Sequence, residues 1–112
     1  NGRFELATMK WIGATDPDIY RMAFHSQEWP PGRNRGYYSN KKLDVLLDQG
    51  LDQESIEERK KTYNEVQKVI FEDLPIIPLW YDTQVAVVNN RISDYRVSKT
   101  SDFQNLIYVR KK

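Results

Sequence analysis

The sequence predicts a mixed α+β fold, α/β in the broad sense, with amphipathic helices packed on one side of a small mixed sheet. Two helical stripes and a proline-bounded apolar run carry that expectation. Over 55–73, Ile56, Tyr63, Val66 and Ile70 recur at steps of seven, three and four, one face of a 3.6-residue period. Over 40–49, Leu43, Leu46 and Leu47 form a second stripe. After the longer helix, Pro75 and Pro78 forbid further helix, because proline lacks the backbone donor and clashes with the preceding turn. Between and after them, IIPLWY is an apolar run of strand length. The predicted arrangement sets helices over 40–49 and 55–73 against a sheet containing 4–11 and 76–88, since both stripes need one apolar surface.

Taken in order, Phe4 and Leu6 alternate with Glu5 and Ala7, and Met9–Ile12 continues an extended reading. Gly13 to Asp18 is a loop by composition. Pro17 suits the first position of a short helix capped by Asp16, with Ile19, Met22 and Ala23 inward and an end near His25-Ser26. Glu28 to Gly36 is a long irregular loop rich in Pro, Gly and Arg. Asn40 caps the next helix and Gly50 supplies its stop. Ser55 and Glu58 have capping-box spacing, with Asp52 a rival cap, and Glu54, Glu57 and Glu58 suit the electropositive helix start. Gln84–Val88 reads as strand with Asn89-Asn90 as its turn; 92–97 and 105–109 are further strand candidates, and 98–102 is linker-like.

With 112 residues the chain is one domain's worth, 1–112, able to bury roughly 65% of its unfolded surface. Its 17 basic and 16 acidic residues give a net charge of +1, so no bulk electrostatic argument favours nucleic acid or a membrane surface. The absence of cysteine removes disulfides and thiolate metal sites. No run approaches the ~18 apolar residues of a membrane span. Neither an initiator Met nor a signal peptide stands at Asn1.

Chemistry-bearing residues are sparse. Asp16 and Asp18 suit a metal or acid–base pair, although helix capping alone accounts for Asp-Pro-Asp. His25 is the single histidine and lacks a second imidazole or thiol for zinc or a triad. The glycines do not have phosphate-binding spacing. The Arg110-Lys111-Lys112 end reads as a solvated tail. Trp80 is expected in the core. Trp11, at a strand end, either covers the core or walls a pocket, and Trp29 sits in a Pro-Gly loop as a ligand contact, partner contact or lid. No catalytic residue, metal or cofactor is predicted.

The segment ERKKTYNEVQKVIFEDLPIIPLWYD, with Glu58, Arg59, Tyr63, Gln67, Ile70, Asp73, Pro75, Pro78, Leu79, Trp80 and Tyr81, resembles the C-terminal part of extracytoplasmic solute-binding proteins of peptide/nickel ABC importers (solute-binding family 5). YSNKKLDVLLDQG resembles the family's Tyr-Ser-Asn-Pro-x-x-Asp-x-Leu-Leu segment, with Lys41 where Pro is usual. FELATMKWIGATDPD resembles its Phe-Asp-Leu…Trp-x-x-Asp-x-x-Asp-Pro segment. The three stand in family order and cover essentially the whole chain.

This resemblance implies a C-terminal fragment, one lobe of a periplasmic-binding-protein-like fold, outside the cytoplasmic membrane, free or as a lipoprotein. Such proteins close two lobes on a solute and present it to the permease, without catalysis. It places solute contact at Trp11 and the backbone of Ile12, Gly13, Ala14 and Thr15, with Asp16 as a charge and Trp29 as a lid. In peptide binders an Asp a few residues after that Trp takes the ligand's α-ammonium; here Ala14 stands there. Implied partners are a peptide-like solute shared with a second lobe and the permease subunits. A freed strand edge would also pair two fragments into a homodimer without biological meaning. The competing reading is a small adaptor domain that binds a protein through the Trp29 loop and the amphipathic helices.

Overall fold

The computed structural model describes residues 4–11, 13–100 and 102–112. Among the described residues three α-helices and a two-stranded sheet give a mixed α+β class. It divides into two compact units. One comprises Asp16–Pro78 with the described residues before Thr8, and the other comprises Thr8–Thr15 with Leu79–Lys112.

The first unit holds α1 (Ile19–Phe24), a 3₁₀ turn (Ser26–Glu28), α2 (Lys41–Asp52) and α3 (Ile56–Asp73). The two long helices form where their stripes and caps predict. Asn40 Oδ1 accepts from the N–H groups of Lys42 and Leu43 at 2.9 and 3.2 Å, and Ser55 Oγ accepts from Glu58 N–H at 3.4 Å. At the other end of α3, Leu74 takes the left-handed conformation (φ 45°) and donates to Ile70 O at 2.9 Å. The stripes face each other. Phe24, Leu43, Leu47, Tyr63, Val66 and Val69 are the buried core, flanked by Tyr20, Ala23, Tyr38, Leu46 and Ile70. Each fully buried aliphatic or aromatic chain contributes roughly 1.5–3 kcal/mol, so α2 against α3 is the principal source of stability.

Several expectations are corrected. Gly50 does not stop α2; the helix runs on to Asp52. Gly50 is buried against Tyr63, where an added Cβ would lie 2.9 Å from Tyr63 Cε2, so the glycine serves close helix approach. Ile56 is 83% exposed: it opens α3, and the buried residues of that helix begin only at Thr62. Asp16 is not the helix N-cap. It makes an Asx turn by accepting from Asp18 N–H at 2.8 Å, and α1 starts at Ile19. The inward residue of α1 is Phe24, with Ile19, Met22 and Ala23 half-buried.

In the second unit β1 (Ile92–Ser93) pairs antiparallel with β2 (Arg110–Lys111), Ile92 opposite Lys111. The expected strand at 105–109 is mostly a 3₁₀ turn, Gln104–Tyr108, and β1 is far shorter than 92–97. No strand forms over 4–11 or 76–88, so the sheet on which the helices were expected to pack is absent among the described residues. A ladder needs a partner edge, and Pro75 and Pro78 each remove a donor. Trp80, expected in the core, is 76% exposed for the same reason.

Candidate functional site

The segment singled out by sequence begins in the second unit. Trp11 is half-buried, and Gly13, Ala14 and Thr15 are exposed. Ile12 lies outside the described residues. Gly13 has φ +74°, a left-handed conformation that glycine adopts without strain and that turns the chain after Trp11. Lys10 forms an ion pair with Asp82 that holds the Asp82 carboxyl below its usual range. Thr8–Lys10 and Gly13–Thr15 are thus exposed on either side of the half-buried Trp11 ring in the chain.

Asp16 and Trp29 belong to the first unit. The Asp16 carboxylate is fully engaged. Arg59 donates from Nη2 to Oδ1 at 2.7 Å and from Nη1 to Oδ2 at 3.0 Å, and Asp18 N–H adds its bond to Oδ1. The guanidinium first, and the amide second, hold this carboxyl at about 2. Arg59 also donates from Nε to Gly50 O at 3.1 Å and lies 5.3 Å from the Tyr63 ring centroid. One guanidinium therefore ties the start of α1 to α2 and α3. An incoming ammonium would have to displace a bidentate arginine to reach Asp16.

His25 closes a polar junction at the end of α1. It is 2% exposed, and its Nδ1 accepts from Gln27 N–H at 3.0 Å. Its Nε2 stands 3.3 Å from Asp48 Oδ1. Ser26 donates to Asp44 through N–H (3.0 Å) and Oγ (2.7 Å), and Arg21 donates to Glu28 at 3.0 Å. These contacts seat the end of α1 and the 3₁₀ turn on α2. Among the described residues no group of three or more His, Cys, Asp or Glu is placed to hold a metal ion. No described helix is long and apolar enough to cross a membrane.

Trp29 lies in the loop before α2. It is 42% exposed, beside Tyr37 at 5.7 Å between ring centroids. A shallow apolar hollow of about 300 Å³ lies in the second unit, lined by Val87, Val88, Ile92 and Leu106 among others. It contains none of the candidate ligand-contact residues and no charged group; Tyr95 and Asn89 are the polar side chains in its lining. Sequence reading missed two organising residues. Arg59 carried a signal only as part of the Glu-Arg pair in the quoted motif, whereas Asn34, buried in the Trp29 loop, carried none.

Over 113 residues the chain is 27% identical to the peptide transport periplasmic protein SapA of Haemophilus influenzae, a match covering 97% of this chain and 20% of that protein. It is 31% identical over 96 residues to the glutathione-binding protein GsiB of Escherichia coli, covering 83% of this chain and 19% of that protein. GsiB of Salmonella typhimurium matches to the same extent, 31% over 96 residues, 83% and 19%. The chain thus spans about a fifth of the length of these relatives. No family model matches. No solved structure matches either.

Proposed function

We propose, from the premise that this chain is a homologue of the solute-binding proteins of family 5 ABC importers, that it forms part of a solute receptor working outside the cytoplasmic membrane. The receptor captures an oligopeptide or similar small solute between two lobes and delivers it to the permease. The observation that carries this reading is the extent of the kinship. It runs over 83–97% of the chain and reaches two proteins named for peptidic cargo, one for peptides and one for glutathione.

The geometry agrees with capture in which backbone and ring, rather than a free carboxylate, meet the solute. The exposed chain at Gly13–Thr15 can pair with an extended ligand as an added strand would. Trp11 supplies an aromatic wall. Asp16, neutralised by Arg59, is a positioning residue that fixes where α1 begins.

The test is calorimetric titration of the complete gene product with di- and tripeptides and with glutathione. Binding is expected, and Trp11→Ala is expected to weaken it by about tenfold or more, roughly 1.4 kcal/mol, with an unchanged melting profile. Asp16→Asn is expected to leave affinity within about threefold. Absence of binding to any of these ligands, or a Trp11→Ala variant that loses stability but not affinity, would refute the assignment.

A further inference from the structure

Residues 28–38 form a self-braced loop. Asn34, 1% exposed, spends its whole side chain on it. Nδ2 donates to the carbonyls of Phe24, His25 and Tyr38 at 3.2, 3.1 and 2.8 Å, and Oδ1 accepts from Tyr38 N–H at 3.1 Å. Asn34 N–H donates to Glu28 O at 2.7 Å, and Gly32 N–H donates to Trp29 O at 2.8 Å. A Cβ on Gly32 would fall 2.4 Å from Glu28 O, so the chain crosses itself where only glycine fits.

This bracing keeps two large rings outside. Trp29 and Tyr37 are 42% and 50% exposed and lie against each other at 59°. The indole N–H already donates to Tyr38 O at 2.9 Å, so the exposed part of Trp29 is apolar ring. Arg33 and Arg35 lie between Trp29 and Tyr37 in the chain, both exposed, and form no ion pair with any described residue. By contrast, Arg21 and Arg59 are both fixed on carboxylates.

We propose that the 28–37 loop is a protein-docking surface whose partner offers an apolar pocket for Trp29 and Tyr37, rimmed by carboxylates for Arg33 and Arg35. Trp, Tyr and Arg are the residue types that dominate binding energy at protein interfaces. A loop already fixed in shape loses little entropy on docking. The charges select the partner: guanidinium forks match carboxylates bidentately, and a basic surface would repel both. A lipid surface is the poorer fit, because two arginines add only about 1 kcal/mol each at an anionic bilayer. The buried apolar residues of α2 and α3 pack on each other, whereas the two rings of this loop stay exposed on a braced backbone. The proposal goes beyond solute capture and does not rest on it.

The test selects a random-peptide display library on the complete gene product and measures the enriched peptides by fluorescence anisotropy. Arg33→Glu/Arg35→Glu is compared with Lys60→Glu/Lys61→Glu, which makes the same charge change on α3. Selected peptides are expected to pair an apolar residue with flanking Asp or Glu, to bind about tenfold more weakly to the arginine variant (1.4 kcal/mol) and to bind equally to the lysine variant. Co-sedimentation with phosphatidylglycerol vesicles is expected to be negligible. Failure to enrich any peptide, enrichment without acidic residues, equal loss in both variants, or vesicle binding abolished by Arg33→Glu/Arg35→Glu would each overturn the proposal.

Discussion

Gly50→Ala sets two known effects against each other at one position, and the structure decides the sign. In a helix interior alanine is favoured over glycine by about 1 kcal/mol, and Gly50 lies inside α2. Yet the new methyl would stand 2.9 Å from Tyr63 Cε2 and 3.1 Å from Cζ, inside normal contact distance. The ring cannot swing away, because Tyr63 is 3% exposed, packs near Tyr20 at 6.3 Å and lies under Arg59. Overpacking of this kind costs about 1–3 kcal/mol. The net expectation is a loss of about 1 kcal/mol, read as a lower midpoint in urea unfolding followed by helical circular dichroism at unchanged slope. In a Tyr63→Leu background the obstructing ring atoms are gone, and the same substitution should gain up to about 1 kcal/mol. A stabilising Gly50→Ala in the native background, or equal effects in both, would refute the close approach of α2 and α3.

Leu47→Ala should cost roughly 2–5 kcal/mol, since Leu47 is 0% exposed in the core between α2 and α3; a measured loss under about 0.5 kcal/mol would mean that the stripe faces water. Asp16 has its carboxyl at about 2 in the fold against an ordinary 3.8. Its contribution is therefore complete above pH ~4 and lost as pH falls from there towards ~2. Acid titration of the unfolding midpoint should show Asp16→Asn and the native chain converging over that window, and a constant gap between them would contradict the Arg59 clamp. Asn34→Ala should cost about 1–3 kcal/mol by stranding the Phe24, His25 and Tyr38 carbonyls. Asn34→Asp should cost at least as much, because it turns a carboxylate onto those same oxygens. Thermal melts with Trp fluorescence separate both variants from the native loop.

Legibility followed the range of the interaction. The bounds of α3 were readable because Ser55, the residue stripe and Pro75 act within a few positions of what they control. Asn40 and the leucines fixed α2 in the same way, whereas Gly50 was misread. A local rule assigns glycine to a helix end, but its reason here is a ring on another helix. The segment 76–88 was misread because strand pattern states only what a chain can pair with. Within the candidate site, Trp11 and Gly13 were visible as an aromatic before a turn. The engagement of Asp16 by Arg59, 43 residues away, has no local signature, and neither does the bracing role of Asn34.

The open stretch after Pro78 also bears on how the protein behaves when concentrated. From Thr83 to Asn90 there is no charged side chain, and Val85 and Val87 are 79% and 100% exposed. Short, uncharged, β-branched segments are the units from which cross-β stacks nucleate. Asp82 and Arg91 flank this one, and Pro78 interrupts it upstream, so these three residues act as gatekeepers against fibril growth. Of the three, Asp82 is paired with Lys10, so its charge is partly offset where Pro78 acts without any partner charge.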